Sequence, residues 1–466
     1  MSGTATAAGQ LCRRLAATTA AGLLASSYGL AIGWATVANW QLQLPHETLR
    51  LAATQRSWLI SMMYVGVAVG SPVGGWLGGR LGSKGALFAS APATPASGVV
   101  IFFASSYEML MAGRLLIGLG SGMSNAVYMM YISGTSRPAE RGLFSMLSEV
   151  GIVGGTVLAV AAGELVDWRW LAVLCAMLAT APPAALLMLL PSDPVWLLAR
   201  HRDAEAQRAA DLLGLRLSEM AAGAAPQHDA PWREMLHQLG KRRNVAPLAL
   251  VLALFFFRAF SGYYTILAYS LEFFRDVGLA LDPSLTALLF GGVTVAATAV
   301  TSVLIDRLGR RPLLLASAAS TALCYLGLVL VYQVPALAAL PALPVVLLLA
   351  AGFLFYVGLG CVPHCLVGEL FPEPVRFLGG SLVPVAYCVF SIVALLLFPP
   401  TVAALGPSGM FLCHVACMVV AFVLVMVALP ETRGLPLTAI DTLFDPCAKP
   451  QQAKLKHIKQ VESGPH

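Results

Sequence analysis

The feature that most constrains this chain is the recurrence of apolar stretches about twenty residues long. Each is long enough, at 1.5 Å of rise per residue, to cross roughly 30 Å of hydrocarbon as a helix. Twelve can be placed, at 15–38, 58–78, 86–104, 109–132, 143–163, 168–190, 247–271, 284–305, 312–332, 345–368, 377–398 and 408–429. Only 11% of the residues are charged and 58% are apolar, whereas a soluble domain carries roughly 25% charged residues. Such a surface cannot be wetted, so a water-soluble enzyme, a disordered chain and a disulfide-stapled module are all excluded. The expected fold class is an all-α membrane protein with twelve transmembrane helices.

An even number of spans returns both termini to one face. With the N terminus in the cytoplasm, 23 of the 29 Lys and Arg fall on that side, including Arg13, Arg14, Arg137 and eight between Arg200 and Arg243. Cytoplasmic loops carry this excess in membrane proteins. The net charge of +6 therefore reflects topology and gives no support to nucleic-acid binding. The first apolar run is too long for a cleaved leader, and eleven more follow it.

The apolar pattern breaks once, between Pro191 and Asn244. The chain accordingly divides into 1–190, a linker 191–246, a second membrane region 247–429, and a polar tail 430–466. Residues Arg200 to Leu217 are predicted as an amphipathic helix against the inner face. The turn after the second span reads GWLGGRLGSK, and the one after the eighth reads IDRLGRR. Short basic glycine turns at matching places in each half point to a duplication: two six-helix bundles with a path between them. No GxxxxGK[ST] loop is present, so ATP does not drive the protein, and nothing in the chain implies an enzyme or a cofactor. The trio Cys361, His364 and Cys365 lacks a fourth ligand for zinc, so no metal is expected.

The motifs that carry a resemblance are spread from about 30 to 440. They are Gly29 and Gly33-Trp34, Ser57-Trp58, Gly113-Arg114 with Gly118 and Gly122, Arg141-Gly142, Trp168-Arg169-Trp170, and Pro191 to Pro194 in the first half. In the second they are Ser261-Gly262 with Tyr269, Asp306 to Arg311, Gly358 to Pro363, Glu369 to Arg376, and Pro430-Glu431-Thr432-Arg433-Gly434. In this order they resemble the sugar porter family of the major facilitator superfamily, and within it the arthropod facilitated trehalose transporters. The resemblance implies a major facilitator fold and alternating access to a small polar solute, a sugar or polyol, held between the halves. It also implies facilitative uniport in a plasma membrane with both termini cytoplasmic.

Candidate solute-binding residues start from two isolated charges. Arg258 lies 15 residues after Arg243 and 14 before Glu272, about 22 Å along a helix from either face. A guanidinium so deep costs on the order of 3 kcal/mol unless a cavity, a carboxylate or an anionic solute receives it. Glu149 is the only acid well inside the first six spans and is its candidate partner. The resembling family keeps glutamines at both positions, asparagine at Tyr264, tryptophan at His364, an Asn-Trp pair at Tyr387-Cys388 and a second asparagine at Ser391. Tyr263, Tyr264, Tyr269, His364, Tyr387 and Ser391 complete the candidate set. Two further readings stay open: a proton-coupled or anion-selective transporter using Arg258 and Glu149, and a solute sensor that does not transport.

Candidate gating charges are Arg80, Lys84, Arg114, Arg141, Asp306, Arg310, Arg311, Glu369, Arg376 and Glu431. All but Arg114 fall at predicted inner helix ends, where the resemblance implies ion pairs that hold those ends together. Gly79, Ser83 and Gly134 replace the family's aspartate, arginine and glutamate, which predicts a weaker inner gate in the first half and a preference for the inward-open state. The glycines Gly66, Gly70, Gly74 and Gly78 recur every four residues and are expected to pack one helix closely on another.

Overall fold

The computed structural model describes residues 2–44, 47, 49–137, 140–217, 242–269, 283–338, 340, 342–371 and 373–433. The regular structure of these residues is entirely helical. In the first half the helices are α1 (Ser2–Gln41), α2 (Ala53–Ser90), α3 (Ala93–Phe102), α4 (Tyr107–Thr135), α5 (Arg141–Ala162) and α6 (Trp168–Met188). Two short helices follow, α7 (Pro194–Ala199) and α8 (Asp203–Leu213). The second half holds α9 (Arg242–Ala259), α10 (Tyr263–Ala268), α11 (Pro283–Leu308), α12 (Arg310–Gln333), α13 (Pro335–Ala338), α14 (Leu343–Phe355), a π-helical turn Tyr356–Gly360, α15 (Val362–Leu370) and α16 (Glu373–Ala428).

Nine of the described helical segments are long and apolar enough to cross a membrane. Two of them, at 50 and 47 residues, are twice the length of one pass and bend at Gly82 and Gly406. Both glycines take positive φ, +79° and +68°, where a side chain would strain the backbone. Pro407 follows the second bend and restarts the helix with its preset φ. Counting these segments twice and adding the shorter apolar helix Leu147–Ala162 agrees with the twelve passes expected from hydropathy.

Helices approach one another where side chains are missing. A Cβ built on Gly66 would stand 2.8 Å from the Gly118 Cα, one on Gly70 3.0 Å from the Leu119 Cα, and one on Gly74 2.6 Å from the Met123 Cα. The four-residue spacing on α2 therefore meets a four-residue spacing on α4, backbone on backbone, as expected. Gly29 and Gly33 of α1 lie in the same way against the carbonyls of Ile152 and Thr156 on α5, and Thr156 Oγ1 donates to the Gly29 carbonyl at 3.0 Å. With no hydrophobic drive between helices in lipid, contact area of this kind carries association.

Arg114 fastens the same group of helices. It is 1% exposed and donates to the carbonyls of Ala31, Leu59 and Ile60 at 2.8, 3.1 and 3.2 Å, with its guanidinium 5.3 Å from the Trp34 ring centre. One side chain on α4 thus ties α1 to the start of α2. The pair α7 and α8 docks on the first half of the chain. Gln10, Arg13 and Arg14 of α1 donate to the last carbonyls of α8 at Asp211, Leu212 and Leu213, and Arg137 donates to Gly214. Cations at a helix C-terminus complement its negative end. Arg14 also closes a two-pronged ion pair with Glu140 at 2.9 and 3.0 Å. The predicted helix over 200–217 is observed as α8, shorter at both ends.

A seam separates the halves. α5 packs on α11, with Gly291 facing Val157, and α2 packs on α16. At the end of the molecule far from the start of α1, the seam is bridged. Tyr269 donates to Ser57 Oγ at 2.9 Å and stacks on Phe398, and Thr36 Oγ1 donates to the Leu267 carbonyl at 3.3 Å.

Candidate functional site: a charged cluster on the seam

Two broken helices build the site. α9 stops at Ala259, and Gly262 turns the chain with φ +87° before α10 begins. The backbone freed at this break is satisfied locally: Ser261 Oγ donates to the Arg258 carbonyl at 2.8 Å and accepts from the Tyr263 amide at 3.3 Å, and the Phe260 carbonyl meets His414 Nδ1 at 3.1 Å. Irregular backbone at membrane depth survives where partners of this kind exist.

The second break is the π turn Tyr356–Gly360. The His364 amide, which would serve the Gly360 carbonyl in an unbroken α-helix, donates to Cys361 instead. The Gly360 carbonyl accepts from Arg258 Nε at 3.1 Å. Two helix interruptions about a hundred residues apart are thereby joined by one guanidinium. Arg258 Nη2 donates to the Tyr264 hydroxyl at 2.5 Å, and Tyr264 in turn bonds Tyr356 at 3.0 Å. The guanidinium carbon lies 4.8, 5.1 and 5.9 Å from the ring centres of Tyr387, Tyr264 and Phe255, a cage that favours a cation. Arg258 also sits in the last turn of α9, where the helix end is negative.

The first half presents Glu149 across the seam. It is half-buried, accepts from the Tyr128 hydroxyl at 3.3 Å, and interacts electrostatically with Arg258 and Cys361 of the other half. No direct ion pair joins Glu149 to Arg258 among the described residues. Tyr28 and Tyr64, ring centres 6.2 Å apart, face Tyr387 from the same side.

Of the residues expected to hold a solute, Glu149, Arg258, Tyr264, His364, Tyr387 and Ser391 come together here. His364 lies edge-on to Phe255 at 5.1 Å, and Tyr387 meets the same ring at 5.6 Å. Tyr263 lies at the edge of this group, its ring centre 5.0 and 4.9 Å from those of Tyr264 and Tyr356, and Tyr269 lies apart from it. The Tyr263 hydroxyl bonds Thr294 at 2.9 Å, its ring stacks on Phe290 and Phe355, and Tyr269 belongs to the far-end bridge. Both hydroxyls are bonded to protein groups in this state. Tyr28, Tyr64, Tyr128, Phe255 and Tyr356 were not foreseen. The only signal in the chain is aromatics within the spans, and helical spacing does not reveal which of them face the seam.

A model of the family described as sugar (and other) transporter matches residues 18–444. The chain belongs to that family. A facilitated glucose transporter, member 8 of solute carrier family 2 from Mus musculus, is 29% identical over 91% of this chain and 93% of its own length. A facilitated trehalose transporter Tret1-2 homolog from Drosophila sechellia is 30% identical over 83% of this chain and 81% of its own. Among solved structures, the major facilitator proton:xylose symporter XylE bound to 6-bromo-6-deoxy-D-glucose superposes with a TM-score of 0.77. It is 19% identical, over 94% of this chain and all of the other. A partially occluded inward-open form of XylE gives 0.76 at 18% identity, over 91% and all of the respective chains. The protein is thus a multi-pass membrane transporter of the major facilitator fold.

The transporter's basic end holds several of the expected gating residues. Glu431 accepts from the amides of Arg310 and Arg311 at 3.1 and 3.0 Å, so its carboxylate caps α12 and does not pair with their side chains. Arg311 Nη2 donates to the Met426 carbonyl, Lys84 to the Leu190 carbonyl, and Arg80 lies over Trp76 at 4.4 Å. These contacts all stay within one half. The side chains of Arg141, Asp306, Glu369 and Arg376 lie outside those described. At Gly134 a side chain would overlap the carboxylate of Asp193, which also caps α7 at the Val195 amide and faces Ser83 Oγ at 3.5 Å. A carboxylate reaches the glutamate-deficient position from the linker.

Proposed function

We propose that this transporter moves a sugar- or polyol-like small polar solute by alternating access, as a facilitative uniporter, through a cavity on the seam between 1–190 and 247–429. The observation that carries this reading is the joining of two interrupted helices of one half, α9/α10 and α14/α15, by Arg258, at the place on the seam where the other half presents Glu149. Interrupted helices are the usual device for exposing polar backbone to a solute at midplane depth. The names of the relatives, a glucose and two trehalose carriers among them, agree with such a solute. The excess of Lys and Arg at one end supports cytoplasmic termini, with the plasma membrane as the site of action.

The state described here is closed at the far end by Tyr269–Ser57 and Thr36–Leu267, while the basic-end contacts cited above among the described residues lie within each half. This supports an inward-facing form, with Arg80, Lys84, Arg141, Asp306, Arg310, Arg311, Glu369, Arg376 and Glu431 regrouping when the basic end closes. Uptake by purified protein in liposomes, measured for labelled glucose, trehalose and a polyol, tests the function. Saturable flux that stops at equal concentrations on both sides is expected. Accumulation above the outside concentration under a proton gradient would replace uniport by coupled transport, and binding without flux would leave a sensor.

A further inference from the structure

We propose that the solute received by this site is a hydroxyl-bearing monocarboxylate, a sugar acid in chemical class, with Arg258 as the receptor of its carboxylate. The proposal rests on the transport reading above but concerns only what the cavity recognises.

Arg258 is 5% exposed and spends two of its five N–H donors on protein, one on Gly360 and one on Tyr264. The other three have no protein acceptor among the described residues. Glu149 is the obvious counter-ion, yet it is held by Tyr128 and forms no ion pair with the guanidinium. Beside the same guanidinium lie two further polar atoms that lack partners although they are buried: Tyr387 Oη, 7% exposed, and Ser391 Oγ, 3% exposed. They sit one helical turn apart on α16. Buried polar groups in native proteins are nearly always satisfied, and unsatisfied ones that converge mark a missing partner.

A solute group that satisfies them accepts several hydrogen bonds at once, and a negative charge on it complements the guanidinium. A guanidinium fork matches a carboxylate with two parallel N–H···O bonds. The hydroxyls of Tyr387 and Ser391 supply the donors for the remaining lone pairs of such a group. A doubly charged phosphate is disfavoured, because Arg258 is the one Lys or Arg interacting with Glu149, Tyr264 and Tyr387 among the described residues, and Glu149 carries negative charge toward it. The rest of the solute meets Glu149, Tyr128 and His364, which suit hydroxyl groups, and the rings of Tyr28 and Tyr64, which suit the apolar face of a sugar ring. A neutral sugar would leave the guanidinium's free donors facing hydroxyls already bonded to water, a weaker exchange.

The test compares glucuronate with glucuronamide, which has the same shape without the charge. Thermal stabilisation of the purified protein reports binding, and uptake into liposomes reports transport. Stabilisation and uptake at least about tenfold stronger for glucuronate are expected, with Arg258→Gln removing that preference and Tyr387→Phe with Ser391→Ala reducing it. If Arg258→Gln does not fold, the wild-type preference decides alone. Equal or better response to glucuronamide and glucose overturns the proposal while leaving the transport reading in place. Arg258-dependent stabilisation by glucuronate without uptake keeps the proposal and overturns transport. No response to any of the three compounds by either readout overturns the proposal.

Discussion

Replacing Gly70 by alanine adds one methyl group to α2 at its contact with α4. The new carbon would lie 3.0 Å from the Cα and C of Leu119 and nearer still to its oxygen. Carbon atoms rest about 3.5–4.0 Å apart, so α4 must recede by roughly 0.5–1 Å. That gap also loosens the neighbouring contacts at Gly66 and Gly74, since a shift of this size forfeits a quarter to a half of each contact's attraction. Overpacking of this kind costs about 1–3 kcal/mol. Against it stands the better helix propensity of alanine, about 1 kcal/mol. The balance is a loss of up to about 2 kcal/mol. Gly75 and Gly79 lie on the same helix with nothing within 4 Å of where a Cβ would stand, so at those positions only the favourable part remains. The expected result is opposite signs from the same substitution in one helix: Gly70→Ala lowers the melting temperature in detergent, and Gly75→Ala leaves it equal or higher. Fluorescence-detected thermal unfolding of the two single variants measures this. Equal shifts for Gly70 and Gly75 would refute the backbone contact between α2 and α4.

Arg114→Lys keeps the charge but cannot reach three carbonyls on two helices, so about two hydrogen bonds are lost at about 0.6–1.5 kcal/mol each; a melting temperature within error of wild type would contradict the tie between α1, α2 and α4. Tyr269→Phe removes the bond to Ser57 while keeping the stack on Phe398, and a loss of about 1 kcal/mol shifts a two-state equilibrium about fivefold. Labelling of a cysteine placed at Thr54 from the far face should rise accordingly, and unchanged labelling would show that this bridge does not hold the far end shut. Arg14→Ala breaks both the pair with Glu140 and the bond to Leu213, so limited proteolysis within 203–217 should become several times faster; Arg208→Ala, on the exposed face of α8, should not change it.

Much of the fold is legible without coordinates because lipid imposes one rule on every segment: about twenty apolar residues with the backbone satisfied in a helix. Hydropathy alone therefore yields the all-helical membrane class and the order of the apolar segments, and glycines every fourth residue mark the face of α2 that meets α4. The depth of Arg258 and Glu149 follows from counting residues. Their partners do not. Periodicity identifies a face of a helix but not its rotation against neighbours, so Tyr263 and Tyr269 look as suited to a cavity as Tyr264 and Tyr387. Tertiary packing commits the hydroxyls of the first pair to Thr294 and Ser57 and brings the rings of the second to Arg258. Only the folded chain decides that a π turn releases the Gly360 carbonyl for a guanidinium 102 residues away, that Tyr128 and not Arg258 holds Glu149, and that Asp193 fills the space beside Gly134. Hydrogen bonds and ion pairs depend on ångström distances between segments far apart in the chain, and those distances are set by helix packing, not by local composition.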